Sequence, residues 1–164
     1  MASDKTTCEI EPLQLERFLP YRLSVLSNTV SRAVAQLYED RFDLKLPEWR
    51  VMAVLGRFPG RTASEIVETT AMDKVAISRA VKRLVDMGRV TVEGDPRDAR
   101  RQRLSLSARG HAIYRQVVPL ARSVEERLLA TLSPADRDAI DRMLTRLTAA
   151  AGDLAAPVIP PAGE

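Results

Sequence analysis

The chain has 164 residues, 45% of them hydrophobic and 29% charged, with a net charge of +3, which is typical of one folded domain. One cysteine, Cys8, excludes an internal disulfide framework and favours a reducing cytoplasm. No apolar run reaches the roughly 20 residues that cross a bilayer, and the acidic N-terminus does not resemble a signal peptide, so no membrane partner is expected.

The first predicted element is an amphipathic helix over residues 15–38. Apolar residues recur in it at spacings of three and four, the stripe of an amphipathic helix. They are Leu19, Leu23, Leu26, Val30, Val34 and Leu37. Pro20 fits only in the first turn of this helix or at a kink. Residues 1–14, which precede the stripe, are polar and are predicted to be disordered.

Three shorter helices are predicted next, and each has a recognisable start. Pro47 opens the first of them, which ends at Pro59 because proline disrupts a helix interior. Thr62 begins the pattern of a capping box at the start of the second. Asp73 caps the third, which ends at Gly88, since glycine adopts the left-handed conformation past a helix end.

The pattern then changes from a helical period to alternation. Residues 89–93 and 103–107 alternate polar and apolar side chains, as half-buried strands do. The intervening residues 94–101 are rich in turn-forming and charged types. The sequence therefore predicts a β-hairpin with a long tip.

Two long helices are predicted to follow the hairpin. The first covers residues 108–131, with an apolar stripe and a kink at Pro119. The second opens at Pro134, directly after a Ser133 cap. Residues 155–164 contain three prolines and a glycine and are predicted to be a disordered tail.

The predicted order is α-α-α-α-β-β-α-α, which indicates a mainly α protein with a small β-hairpin. Short helices followed by a hairpin are typical of a winged helix-turn-helix, here residues 46–107. The helical regions 15–45 and 108–154 carry more apolar surface than that small core can cover. We therefore expect these regions to dimerise, with a second copy of the chain as the partner.

Basic residues are concentrated on the fourth helix and the hairpin. Residues 72–103 hold nine basic and five acidic side chains, a net charge of +4, as in a nucleic-acid footprint. Arg79 and Lys82 can donate to guanine edges or phosphates in a major groove about 12 Å wide. The alternative is a solvated helix face. The candidate DNA-binding residues of this helix are Lys74, Ala76, Ser78, Arg79, Lys82 and Arg83.

The predicted tip of the hairpin holds three arginines and two acids. Arg97, Arg100 and Arg101 lie there beside Asp95 and Asp98. The carboxylates can hold an arginine stem extended, with its guanidinium outward. That form suits a narrow minor groove, whose negative potential attracts it. The alternative is a solvated turn held together by Asp–Arg pairs.

Three segments resemble the MarR family of transcription regulators. Residues 95–100, DPRDAR, followed by 104–110, LSLSARG, are similar to the wing signature of that family. Residues 73–84, DKVAISRAVKRL, resemble its recognition helix, and 46–52, LPEWRVM, resemble the start of its second helix. The motifs occur in the family's order, and the resemblance covers residues 15–147.

The resemblance implies a homodimer joined through its first and last helices, which represses transcription from a palindromic operator and is released by a small molecule. It implies two recognition helices about 34 Å apart, one turn of DNA. The implied roles are major-groove contacts by Ser78, Arg79 and Lys82, a minor-groove contact by Arg97, wing bracing by Asp95 and Asp98, and phosphate contacts by Thr62 and Ser64.

The family also implies an effector cleft between the dimer helices and the winged region. Polar residues that could line it are Tyr21, Arg22, Ser24, Ser27, Asn28, Arg32, Trp49 and Arg50. The alternative places Ser27 and Asn28 against helix ends or solvent and Trp49 in the core. Residues 19–28, LPYRLSVLSN, are similar to a branch that controls aromatic-acid breakdown, so a hydroxycinnamoyl-CoA thioester is a candidate effector. Arg22 and Arg32 could then meet the CoA phosphates.

Two other classes of function compete with this prediction. An enzyme is disfavoured because His111 is the single histidine and no catalytic triad, P-loop, dinucleotide fingerprint or Cys/His metal cluster occurs. No cofactor and no metal are therefore expected. A helical dimer that binds only proteins would explain the apolar stripes but not the basic hairpin. Cys8 lies in a polar stretch and is expected to be an inert surface thiol, not an oxidant sensor.

Overall fold

The computed structural model describes residues 11–96 and 98–154, with residues 99 and 100 described by their backbone alone. The elements are α1 (Leu19–Ala35), α2 (Glu39–Phe42), α3 (Leu46–Arg57), α4 (Ala63–Thr70), α5 (Lys74–Asp86), β1 (Val90–Asp95), β2 (Asp98–Leu106), α6 (Ala108–Leu129) and α7 (Pro134–Leu154). The described residues form two compact units, one ending at Ala121 and the other beginning at Arg122. The predicted fold class, mainly α with a small antiparallel hairpin, is confirmed.

The first helix is shorter than predicted. α1 begins at Leu19, with Pro20 in its first turn, and ends at Ala35. The short helix α2 follows and was not predicted, because four residues carry too little periodicity to be recognised. It ends at Phe42 and is capped by Asp43, whose φ of 45° is left-handed, a conformation that aspartate adopts more readily than most residues.

The two helices of the helix-turn-helix begin at the predicted caps. Thr62 Oγ1 accepts from the Glu65 backbone N at 3.3 Å, and Glu65 Oε2 accepts from the Thr62 backbone N at 2.7 Å. Asp73 Oδ1 accepts from the backbone N of Val75 at 2.9 Å and of Ala76 at 3.0 Å. These bonds satisfy amides that a helix start leaves free, so they fix where α4 and α5 begin.

The hairpin is longer, and its tip shorter, than predicted. β1 and β2 pair from Val90 opposite Leu106 to Gly94 opposite Gln102, and Asp95 then pairs with Asp98 across a shift in register. Residues 99–101 form the irregularity on β2, where the sequence had indicated loop. Strand pairing is made by backbone groups, so it continues beyond the point where apolar alternation stops.

The core of the first unit lies under the winged helix. Its fully buried large side chains are Tyr38, Leu44, Val51, Met52, Leu55, Ile66, Ile77, Leu84 and Val117. They come from the residues between α1 and α3, from α3 to α5, and from α6. α1 contributes no buried residue to this core. Val90 of β1 and Leu104 of β2 are buried in the same cluster, so the helix-turn-helix and the hairpin share one hydrophobic core that holds α5 in place.

Two helices keep their apolar stripes uncovered. Along α1, Leu19, Leu23 and Leu26 are exposed. In the second unit, Met143 and Leu144 of α7 are also exposed, and α7 has no buried residue. Among the described helices, none is at once long enough and apolar enough to span a bilayer. The uncovered stripes agree with the expectation that these helices need a further apolar partner.

Gly110, in the first turn of α6, is needed for a close backbone approach. A Cβ at this position would overlap the backbone carbonyl oxygen of Arg89. We expect Gly110→Ala to lower the free energy of unfolding by about 1.5 kcal/mol, since neither backbone can yield without disturbing the core. Chemical denaturation of the purified protein measures this change.

Gly152→Ala is the matched control, because among the described atoms none lies within 4 Å of the added Cβ. It should be neutral or stabilising, since alanine is favoured over glycine inside a helix by roughly 0.5–1 kcal/mol. Equal stability of Gly110→Ala and the wild type would contradict the close approach.

Candidate nucleic-acid interface

One side of α5 is exposed along most of its length. Its exposed polar and charged residues are Lys74, Ser78, Arg79, Lys82 and, in the last turn, Asp86. The opposite side is buried through Ile77, Ala80 and Leu84. The predicted division of this helix into an inner and an outer side is therefore confirmed, except that Ala76 is half-buried.

The basic side chains on this exposed side have no partner among the described residues. Lys74, Arg79 and Lys82 make no hydrogen bond or ion pair with any other residue of the described ranges. A guanidinium can donate two parallel hydrogen bonds to O6 and N7 of guanine, and an ammonium can meet a base edge or a phosphate. The side is narrow enough, as part of a single helix, to enter a major groove.

Arg83 was predicted to belong to the same surface, but the structure gives it other partners. Its Nη1 donates to the Glu48 carboxylate, 2.7 Å from Oε1 and 2.6 Å from Oε2, and its Nη2 donates to Asp43 Oδ1 at 2.7 Å. Glu48 is only 3% exposed. The sequence could not indicate this pairing, because Glu48 lies 35 residues away on α3. Arg83 therefore connects α5 to α3 and to the residue that follows α2.

The electrostatic effects at this pairing are mutual. The hydrogen bonds that Arg83 donates to the Glu48 and Asp43 carboxylates raise the pKa of Arg83. The hydrogen bond from Arg83, with its positive charge, lowers the pKa of Asp43. Both shifts favour the charged forms of Arg83 and Asp43, so the pair stabilises itself electrostatically.

Arg89, at the junction of α5 and β1, makes a second connection to the end of α2. It is buried, and its Nη1 donates to the Asp43 carbonyl oxygen at 3.1 Å while its Nη2 donates to the carbonyl oxygen of Phe42. Burial, with a smaller contribution from the nearby Arg109, lowers the pKa of Arg89. The guanidinium satisfies carbonyls at the end of α2, so it ties that end to the start of the wing.

The wing, which is the hairpin of β1 and β2, is held in place by a buried carboxylate. Asp95 Oδ2 lies 2.9 Å from Arg103 Nε and 2.7 Å from Arg103 Nη2. Arg103 Nη1 also donates to the Gly60 carbonyl oxygen at 3.0 Å. The pair therefore connects β1, β2 and the turn before α4. Asp95 was a predicted bracing residue, whereas Arg103 was not identified as its partner.

The other candidate wing residues are only partly described. Asp98 Oδ2 lies 3.6 Å from Arg101 Nε, and both side chains are exposed. Arg97 lies outside the described residues, as does the side chain of Arg100. Arg101 is therefore the wing arginine of the predicted set whose side chain is described, and it lies near the surface of α4.

Two hollows connect the wing to the exposed side of α5. Thr62 and Ser64 line a cavity of about 500 Å³ together with Arg101 of β2. Ser64 also lines a cavity of about 250 Å³ with Lys74 and Ser78. The structure thus brings five predicted residues onto one continuous surface. The hydroxyl of Thr62 is occupied in the helix cap, where the Thr62 backbone N–H and hydroxyl lower the pKa of Glu65.

The predicted effector residues of α1 do not form one enclosed pocket in the single chain. Tyr21, Arg22, Ser24, Ser27, Asn28 and Arg32 are all exposed. Tyr21 and Arg22 line one shallow hollow, and Asn28 and Arg32 line another with Leu46 of α3. From α3, Arg50 Nη2 donates to Ser31 Oγ of α1 at 3.4 Å.

Trp49 lies in an aromatic cluster. Its ring centroid is 5.8 Å from that of Tyr38 and 6.0 Å from that of Tyr114 on α6. Tyr38 is buried, and its hydroxyl has no hydrogen-bond partner among the described residues. Burial raises the pKa of Tyr38 to about 12. The position of Trp49 agrees with the core alternative, and Tyr38 was not predicted as part of any site.

The described residues offer no arrangement for a metal ion, since no group of three or more His, Cys, Asp or Glu side chains converges within them. His111 is exposed in the first turn of α6. Cys8 lies outside the described residues.

The chain is similar to proteins of one family. The MarR family model matches residues 42–101. HosA, a transcriptional regulator of Escherichia coli, is 28% identical over 105 residues, 64% of this chain and 78% of HosA. The repressor Rv2887 of Mycobacterium tuberculosis is 28% identical over 131 residues, 79% of this chain and 91% of the repressor.

The fold is shared with Bordetella bronchiseptica BpsR, whose DNA binding is regulated by 6-hydroxynicotinic acid. That likeness has a TM-score of 0.73 at 22% identity and covers 84% of this chain and 98% of BpsR. The family model and both sequence relatives support the assignment of this chain to the MarR family of transcriptional regulators.

Proposed function

We propose that the chain is a homodimeric, ligand-responsive repressor that binds a palindromic operator. One observation carries this proposal. Among the described residues, Lys74, Arg79 and Lys82 have no hydrogen-bond or ion-pair partner, and they lie on the exposed side of α5, whose surface continues to the wing. In this proposal α5 enters the major groove, Arg101 approaches a phosphate, and Arg97 and Arg100 reach the minor groove. Arg83 is left out of the contact set because carboxylates hold it.

The uncovered stripes of α1 and α7 support the homodimer. Leu26 and Met143 are examples of exposed apolar side chains whose removal from water is favourable, by about 25 cal/mol per Å² of buried surface. A two-fold dimer would present two copies of α5 to DNA, about 34 Å apart, and so would recognise an inverted repeat.

Selection of bound duplexes from a random pool tests the proposal. We expect an enriched inverted repeat, a dimer in sedimentation, and an affinity that falls steeply between 50 and 200 mM salt, because phosphate contacts release counterions. A protein that enriches no sequence and ignores duplex DNA at 50 mM salt would refute the regulator function. A dimer without DNA binding would favour the protein-interaction alternative.

The proposed effector is a small aromatic acid or its CoA thioester, bound beside α1. BpsR, which shares the fold, responds to an aromatic acid. Arg22 and Arg32 are exposed on α1, where they can meet the phosphates of CoA, and Arg50 reaches the same helix from α3. Carboxylates and phosphates are the anions that arginine binds best.

Calorimetry distinguishes the two effector classes. We expect p-coumaroyl-CoA or feruloyl-CoA to bind and to release the selected DNA, with weaker binding by an Arg32→Ala variant because one phosphate contact is lost. Free aromatic acids serve as the comparison. Binding of an acid without its thioester would reject the CoA branch, and binding of neither class would reject the proposed effector.

A further inference from the structure

Val75 is an apolar side chain on the exposed side of α5. It is 53% exposed, although it belongs to a helix whose other large apolar side chains are buried or half-buried. Valine is also a weak helix former, so the position is not explained by helix propensity. An exposed valine beside polar and basic residues is therefore an informative feature of this surface.

The position of Val75 places it on the same side as the proposed DNA contacts. Val75, Ser78, Arg79 and Lys82 are spaced i, i+3, i+4 and i+7, which is one face of a helix. Val75 lies in the first turn, where Asp73 Oδ1 accepts its backbone N–H at 2.9 Å. The N-terminal residues of a recognition helix are those that contact base edges.

The chemistry of valine restricts what it can contact there. Among base edges in the major groove, thymine presents an apolar group, its C5 methyl. The other edges present donors or acceptors, and covering these with an apolar side chain leaves them without hydrogen bonds. Branching at Cβ holds the valine methyls in one preferred orientation within a helix, so the contact requires little ordering.

We propose that Val75 determines sequence specificity by packing on a thymine methyl, in the base pair next to the one that Arg79 contacts. The inference rests on the proposed DNA-binding function. It assigns hydrophobic readout to the first turn of α5 and hydrogen-bond readout to the second. By symmetry, each half-site of the operator contains one such thymine.

Replacing thymine by deoxyuridine tests the contact, because it removes the methyl alone. Each thymine of the selected duplex is replaced in turn, in both half-sites. We expect the wild type to lose about fourfold in affinity per methyl at one position, the equivalent of one buried methylene. Val75→Ala should lose this sensitivity at that position only, and Val75→Ile should keep it.

The outcomes separate this inference from the proposed function. Absence of any sequence-specific binding refutes the function itself. Specific binding that tolerates every deoxyuridine, or a Val75→Ala variant as sensitive as the wild type, refutes the role of Val75. Circular dichroism checks folding, which we expect to be retained because alanine is a stronger helix former than valine.

Discussion

Replacing Arg83 by methionine is expected to lower the free energy of unfolding by about 3 kcal/mol, because it leaves the buried Glu48 carboxylate without its charged partner. This loss is at the low end for a buried ion pair, since the Arg83 side chain is 33% exposed and partly screened by water. Methionine retains the length and helix propensity of the stem. Denaturation measures the loss, and the salt dependence of DNA binding should not change.

Two further variants define the origin of that loss. Glu48→Gln combined with Arg83→Met removes both charges. The double variant should therefore lose less free energy of unfolding than the sum of the losses in the two single variants. Asp43→Asn should destabilise the protein less than Arg83→Met does, because Asp43 is an exposed partner whose charge is screened by solvent. An Arg83→Met variant of normal stability, with a shallower salt dependence, would place Arg83 on a phosphate instead.

Features set by neighbouring residues could be predicted from the sequence. The caps at Thr62 and Asp73 depend on side chains and amides two or three residues apart, and both are present as expected. The alternation of the strands identified the hairpin, and its backbone pairing then extended to Asp95 and Asp98. The caps and the strand alternation are local patterns, so the sequence contains them, whereas the extended backbone pairing was not predicted.

Features that depend on distant residues could not be predicted. Arg83 was predicted as a DNA contact because it is a basic residue of α5, and only the fold reveals Glu48, 35 residues earlier, as its partner. Arg103 reaches the Gly60 carbonyl across 43 residues in the same way. The effector residues of α1 were predicted from their polarity, and in the described part of a single chain they are exposed. Polarity alone does not indicate whether such residues converge on one pocket.

Arg79 and Arg83 are four residues apart on α5, yet we expect them to fail in different ways when replaced. Arg79→Ala should weaken binding to the selected operator by about 1–3 kcal/mol, roughly 5- to 150-fold, because Arg79 is exposed and makes no ion pair with another described residue. The stability of the protein should remain that of the wild type. Fluorescence anisotropy with the operator and with a scrambled duplex measures both affinities.

The scrambled duplex shows whether Arg79 reads sequence or only adds charge. Loss of a contact with a guanine edge lowers the affinity for the operator more than the affinity for the scrambled duplex. Loss of a phosphate contact lowers both affinities equally. Arg115→Ala is the matched control, because it removes the same charge from an exposed position on α6. If Arg115→Ala and Arg79→Ala weaken operator binding equally, only the net charge matters, and α5 does not read bases through Arg79.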